Sequence, residues 1–240
     1  MLETHGKLQR VHGGAVPVEV RALPGTSAPP VEDDHLVFSR ALWCELPRTG
    51  TLLLSGGQLA LALAHAIAVS PPDHPGLTIV TNSLDAAIVL SRAATLSVYN
   101  VGGSVSPLTR AQEGDWALSE LSRFTVDVCV VAPAGVSVDN GLSEHTSSAA
   151  AVSEAAVSAA RRVIVLADPD TLNTSAFVQF AGLDIVNLLA VAGHPRPEAL
   201  LPLRSHGLTI ALFGGDDPPS GRDGTGSSTG PPEVSLPSAS

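Results

Sequence analysis

The stretch TLLLSGGQLALALAHAIAV, residues 51–69, joins a short apolar run to a long Ala- and Leu-rich segment through two glycines. Its first part, residues 51–55, has the length of a buried strand, and its last part, residues 58–69, has the length and composition of a helix. Gly56 and Gly57 permit a tight turn between them. A strand followed at once by a helix indicates an α/β architecture.

The same alternation recurs on the C-terminal side of this unit. Apolar runs predict further strands at residues 77–82, 95–101, 126–131, 163–167, 185–191 and 208–213. Segments between most of them predict helices at residues 84–94, 108–122, 143–162 and 197–205. Because strands that are apolar throughout need helices on both faces, we predict an α/β fold with a layered, largely parallel sheet flanked by helices.

Composition divides the chain into a core-forming part and two polar segments. The 240 residues are 44% hydrophobic with a mean hydropathy of +0.27, which excludes disorder for the bulk of the chain. Residues 24–34 are rich in proline and acidic residues, and residues 214–240 consist mainly of Gly, Ser, Pro, Asp and Thr. We expect a linker over residues 17–32, one domain over 33–213 and a disordered tail over 214–240.

Charge and apolar runs exclude two classes of partner. Lys and Arg total 13 against 23 Asp and Glu, for a net charge of −10, and Lys7 is the one lysine. This predicts no basic face for duplex DNA. No apolar run approaches the ~18 residues of a membrane span. Apolar neighbours of Cys44 and Cys129 predict reduced, buried thiols, so we expect a cytoplasmic protein without membrane contact.

Small and polar residues follow most of the predicted strands. In a parallel sheet these loops open on one edge beside helix N-termini, where free amides favour an anion such as a phosphate. Glycines in any one loop also serve simply to make a tight turn. The predicted ligand-binding residues are Ser55, Gly56, Gly57, Gln58, Thr81, Asn82, Ser83, Gly102, Gly103, Gly135 and Asp168.

Catalytic and metal-binding patterns are absent from the sequence. It contains no nucleophile elbow, phosphate-binding lysine loop or dinucleotide fingerprint, and its eight histidines are scattered. Asp168 and Asp170 have the spacing of a magnesium and phosphate site, but an Asp-Pro turn explains them more simply. We therefore predict no catalytic residue, no metal and no cofactor.

Several strings occur in an order and spacing that resemble one family of bacterial regulators, the DeoR/GlpR family. They are RVHGGA at 10–15, VTNS at 80–83, Gly102-Gly103, AGVS at 134–137, AARRV at 159–163, LAD at 166–168 and SAF at 175–177. Each string alone is weak, but the combination is fairly specific and covers nearly all of the chain up to Phe213.

The resemblance implies a repressor with an N-terminal winged helix-turn-helix and a sensor domain similar to the NagB/RpiA/CoA-transferase-like fold. The sensor would bind a phosphorylated sugar or similar small metabolite, and the protein would be a homo-oligomer. Residues 1–16 would be a remnant of the DNA-binding wing, marked by Arg10, His12, Gly13 and Gly14. The reading helix is expected to be missing from this chain, with DNA binding only if the full-length protein carries a helix-turn-helix.

The sequence departs from the family pattern at its loops. The usual Asp-x-Gly-Thr-Thr is replaced by residues 55–59, Ala134 stands in place of an acid, and Thr171 replaces a lysine expected at the phosphate. On the long helix, only Glu154 is charged within residues 147–154. Loss of the lysine removes a charge-assisted hydrogen bond of ~1.5–3 kcal/mol, which predicts a partly eroded phosphate site.

Three functions stay open at this point. The first is a repressor-type regulator of carbohydrate metabolism, or its sensor fragment. The second is a degenerate sensor that acts as an oligomerisation module, since the sheet and helices survive loss of ligand contacts. The third is a sugar-phosphate isomerase-like enzyme, which we do not expect because Asp168 and Asp170 are the only acid–base groups in the predicted loops.

Overall fold

The computed structural model describes residues 8–11, 14–17 and 33–213. The helices are α1 (Asp33–Glu45), α2 (Gln58–Val69), α3 (Leu84–Leu90), α4 (Asp115–Leu121), α5 (Ser147–Ser158) and α6 (Pro197–Ser205). The strands are β1 (Leu8–Val11), β2 (Gly14–Pro17), β3 (Gly50–Leu54), β4 (Leu77–Thr81), β5 (Leu96–Asn100), β6 (Ser104–Val105), β7 (Gln112–Glu113), β8 (Val126–Val131), β9 (Gly135–Ser137), β10 (Gly141–Glu144), β11 (Ala160–Ala167), β12 (Val178–Ala181), β13 (Leu188–Ala192) and β14 (Ile210–Phe213).

A seven-stranded sheet with the order β14-β13-β11-β8-β3-β4-β5 forms the centre of the fold. Every neighbouring pair in it is parallel. This confirms the predicted α/β class with a layered parallel sheet. Because the strands are parallel, the loops after β3, β4, β8 and β11 all leave from the same edge.

Helices cover both faces of this sheet, which explains why its central strands, β3 and β8, are mostly apolar and buried. Leu52 and Leu54 pack in a cluster with α1, α2 and α3, whereas Leu53 between them packs in a second cluster with α4, α5 and α6. All three leucines are buried. Successive side chains of a strand point to opposite faces, so each face needs its own apolar residues.

Three of the predicted helices are wrong in part. The helix predicted for residues 84–94 ends at Leu90. Of residues 108–122, only Asp115–Leu121 is helical, because the preceding residues form the β6–β7 hairpin. The helix predicted for 143–162 begins later and ends earlier, at Ser147–Ser158. Its first residues belong to β10, which pairs antiparallel with β9 and β12, and its last residues belong to β11. Helix α1 and this antiparallel sheet were not predicted.

The predictions for the chain ends fall largely outside the described residues. Arg10 lies in β1 and Gly14 in β2, which form an antiparallel hairpin, while His12, Gly13, residues 18–32 and the tail 214–240 are not among the described residues. The linker, wing and tail assignments therefore stay predictions. In the described part of the chain no helix is long and apolar enough to cross a membrane.

The two cysteines differ in environment. Both are free thiols, and Cys129 is buried as predicted, but Cys44 is exposed, so the prediction was wrong for Cys44. Apolar sequence neighbours misled the prediction because each residue of a helix is rotated by about 100° from the one before it, so Leu42 and Trp43 face the core while Cys44 faces away from it. Burial raises the pKa of Cys129 to about 12, which keeps this thiol protonated and unreactive.

Candidate functional site

A cavity of about 110 Å³ lies at the carboxyl edge of the sheet, beside the loops after β3 and β4. Leu53, Leu121 and Val152 contribute to its apolar wall. Its polar side chains come from the loops, from β7, β10 and α5, and they are Ser55, Asn82, Thr109, Glu113, Glu144 and Ser153. Four of the predicted ligand-binding residues meet here, namely Ser55, Gly56, Gly57 and Asn82.

The loop after β3 is fixed to the end of β8. The Ser55 hydroxyl accepts a hydrogen bond from the Ala132 amide at 3.1 Å and donates one to the Gly56 carbonyl, also at 3.1 Å. Gly57 has a φ of +116°, and a Cβ there would lie 3.3 Å from the Cβ of Ala132. Glycine is therefore needed at this position to start α2 so close to β8.

The loop after β4 contains one residue that lines the cavity and two with structural roles. Thr81 accepts from the Ser83 amide at 3.1 Å, and Ser83 caps α3 by accepting from the Ala86 amide at 3.3 Å. Asn82 is only 7% exposed, and its amide nitrogen donates to the Gln112 carbonyl at 3.3 Å. The side-chain oxygen of Asn82 accepts no hydrogen bond from the described residues, which leaves an acceptor available at the cavity.

Two carboxylates form the acidic side of the cavity. Glu144 accepts a hydrogen bond from the Ser153 hydroxyl at 3.2 Å. Burial raises the pKa of Glu144 to about 7, and the charge of Glu113 adds to this effect while the bond from Ser153 opposes it. The cavity lining, taken over the described residues, includes no Lys, Arg or His.

Neither glutamate was predicted. Glu113 lies within the segment 108–122, and Glu144 lies within 143–162, both of which were expected to be helical. Each instead occupies the last position of a short strand, where it reaches the sheet edge. A polar residue at the end of a short strand cannot be recognised as a site residue when the strand itself is not predicted from the sequence.

A second groove, of about 150 Å³, adjoins the cavity and shares Gly57 and Thr109 with it. Predicted residues Gln58 and Ser83 line this groove rather than the cavity. Arg110 also lines it and donates to the Asp85 carboxylate at 2.7 Å. The groove therefore places one cation next to the N-terminus of α2.

The remaining predicted residues lie away from the cavity lining. A Cβ on Gly103 would lie 2.6 Å from the Glu113 carbonyl, and one on Gly135 would lie 2.7 Å from the Thr174 carbonyl, so close backbone packing explains both glycines. The Gly102 amide donates to the Gln112 side chain at 3.3 Å. As ligand contacts these three glycines stay predictions.

Asp168 belongs to a different groove at the same edge. Its carboxylate lies 2.9 Å from the Nε2 atom of His35 on α1, and Asp34, Asp170 and His194 line the same groove. The structure therefore does not bring Asp168 into the cavity. Across residues 8–11, 14–17 and 33–213, no group of three or more His, Cys, Asp or Glu side chains is arranged to hold a metal ion.

Comparison with known proteins gives one family and a set of relatives. Residues 43–191 match the family model of the DeoR C-terminal sensor domain. The chain is 30% identical over 202 residues to the transcriptional repressor AccR of Agrobacterium fabrum, covering 78% of this chain and 73% of AccR. It is 28% identical over 213 residues to the regulator GlpR of Haloferax volcanii, covering 87% and 81%.

Two further comparisons extend this set. The glycerol-3-phosphate regulon repressor of Escherichia coli is 24% identical over 212 residues, covering 85% of this chain and 80% of the repressor. Among solved structures, ribose 5-phosphate isomerase A from Neisseria gonorrhoeae superposes with a TM-score of 0.41 at 14% identity. That superposition covers 59% of this chain and 54% of the isomerase.

Proposed function

We propose that this chain, which belongs to the DeoR C-terminal sensor domain family, binds a small polyhydroxyl metabolite as the effector of a transcriptional regulator. Two of its relatives are transcriptional repressors, one of them named for the glycerol-3-phosphate regulon. The observation that carries the proposal is the cavity at the strand ends, where Ser55, Gly57 and Asn82 meet. Open α/β folds bind ligands at this edge.

The arrangement of charges supports one orientation of a phosphorylated sugar. A phosphate next to Glu113 and Glu144 would be repelled, so it belongs in the adjoining groove. There the charge of Asp85 is balanced by Arg110, and the first amides of α2 supply positive potential. The sugar hydroxyls would then lie in the cavity and donate to Asn82 and Glu144. Because Arg110 is shared with Asp85, the phosphate site is weaker than one built on a free lysine.

The wider role of the protein is part of the same proposal. We place it in the cytoplasm as a repressor-type regulator of carbohydrate metabolism, with DNA contacted by a helix-turn-helix segment and not by this domain. Homo-oligomerisation is supported by large apolar side chains that lie exposed on the described surface, namely Leu108, Trp116 and Phe177.

Calorimetric titration of the 240-residue protein with sugars and their phosphates tests the proposal. We expect saturable binding that weakens about tenfold in Arg110→Gln for a sugar phosphate but not for the free sugar. Arg123→Gln is the matched control, because Arg123 also pairs with a carboxylate, Glu120, but on an exposed surface. Equal loss for sugar and sugar phosphate would contradict the placement of the phosphate, and no binding by any ligand would contradict the sensor role.

A further inference from the structure

Two acids line the cavity, and none of the described residues that line it with them is a cation. Glu113 and Glu144 lie close enough for the charge of one to raise the pKa of the other. They are the only titratable side chains among the described residues that line it, while α5 contributes Ser153 and the loop after β3 contributes Ser55. Buried acids in folded proteins are ordinarily paired with a cation or fully hydrogen-bonded.

Among the side chains that line the cavity, hydrogen-bond acceptors outnumber the donors. The hydroxyl of Ser55 is used within its own loop, and that of Ser153 is used by Glu144. Asn82 is nine-tenths buried, donates outward to Gln112, and leaves its oxygen without a partner among the described residues. The Thr109 hydroxyl accepts from the Ala111 amide and keeps one proton to donate. With both glutamates ionised, the remaining side-chain groups are two carboxylates and one amide oxygen, all of which accept.

We infer that the effector presents an ammonium group to Glu113 and Glu144, so that the ligand class is an amino-substituted polyol. An ammonium group carries three donors and one positive charge, which matches three acceptors and a negative potential. The inference rests on the proposed function, because it specifies the ligand of the same cavity.

A neutral sugar fits these residues less well. A hydroxyl donates one hydrogen bond and leaves the repulsion between the two carboxylates unchanged. An ammonium stabilises the ionised form of Glu144, which burial otherwise disfavours, and binding is then coupled to proton release. The apolar wall of Leu53, Leu121 and Val152 would pack against the carbon skeleton.

The test compares four probes in two matched pairs, using the full 240-residue protein. The pairs are glucosamine with glucose, and glucosamine 6-phosphate with glucose 6-phosphate. We expect each amine to bind at least about tenfold more tightly than its neutral counterpart. Titrations in two buffers of different ionisation enthalpy should detect proton release near neutral pH with the amines and not with the neutral sugars.

Substitution of Glu144 is the second part of the test. Glu144→Gln should remove the preference for the amine and the proton release, so that the amine and the neutral sugar of each pair bind with equal affinity. Glu154→Gln on the exposed side of α5 is the control and should change neither. Equal binding of amine and neutral sugar by the parent protein overturns the inference alone. Absence of binding by all four probes overturns the proposed function as well.

Discussion

The cavity beside β3 and β4 and the groove beside β11 lie at the same edge of one sheet, and both contain buried or half-buried acids. In the groove, Asp168 contacts His35, so its carboxylate fastens α1 to the sheet. In the cavity, Glu144 has a serine hydroxyl and a second acid as neighbours. A position at a strand end therefore does not decide which acid is available to a ligand; the side chains that contact the acid do.

The largest expected effect is a loss of folding stability when a glycine that packs closely against the backbone is replaced. A glycine that only permits a turn should cost less. A Cβ on Gly103 meets the carbonyl of Glu113 at a φ of +119°, whereas one on Gly102, at a φ of +81°, meets nothing within 4 Å. We expect Gly103→Ala to destabilise by about 3–5 kcal/mol and Gly102→Ala by about 1 kcal/mol. Urea denaturation measures both, and equal losses would show that the close approach of β7 is not essential.

The dependence of folding stability on pH tests the difference between Glu144 in the cavity and Asp168 in the groove. The folded protein keeps the proton of Glu144 up to a pKa of about 7, while the unfolded chain releases it near the ordinary value of 4.5. This group therefore makes stability fall as the pH rises through that range, by on the order of 2–3 kcal/mol.

Glu144→Gln should remove that loss. The variant should be more stable than the parent by on the order of 2 kcal/mol at about pH 8 and equal to it at about pH 4.5, measured by urea denaturation. Glu154 is exposed, so Glu154→Gln should have the same stability as the parent at both pH values. A parent protein whose stability is the same at both would contradict a buried, protonated Glu144.

The strands of the central sheet could be predicted from the sequence, and the acids of the cavity could not. The residues of β8 and α2 have the predicted bounds because a run of valines or of alanines and leucines needs no distant partner to be recognised. Glu113 and Glu144 end short strands whose existence depends on pairing elsewhere in the fold. Asp168 finds its partner 133 residues away, which no local pattern reveals.

A smaller loss of stability is expected in the groove that contains Asp168. Asp168→Asn keeps the shape of the side chain but removes the charge that faces His35. Because the carboxylate is a third exposed, we expect a loss of only about 0.5–1 kcal/mol, with no change in affinity for any sugar. Thermal denaturation and calorimetric titration check the two statements separately. A weakened affinity with unchanged stability would return Asp168 to the ligand site.

The location of the effector is tested most directly by hydrogen–deuterium exchange of the backbone, with and without the tightest-binding of the four sugars. We expect slower exchange in peptides covering residues 56–60, 82–84 and 142–153, which surround the cavity and the adjoining groove. Peptides covering residues 34–40 and 168–171, at the groove of Asp168 and His35, should be unchanged. Protection confined to the second set, with none in the first, would contradict the cavity as the sensor site.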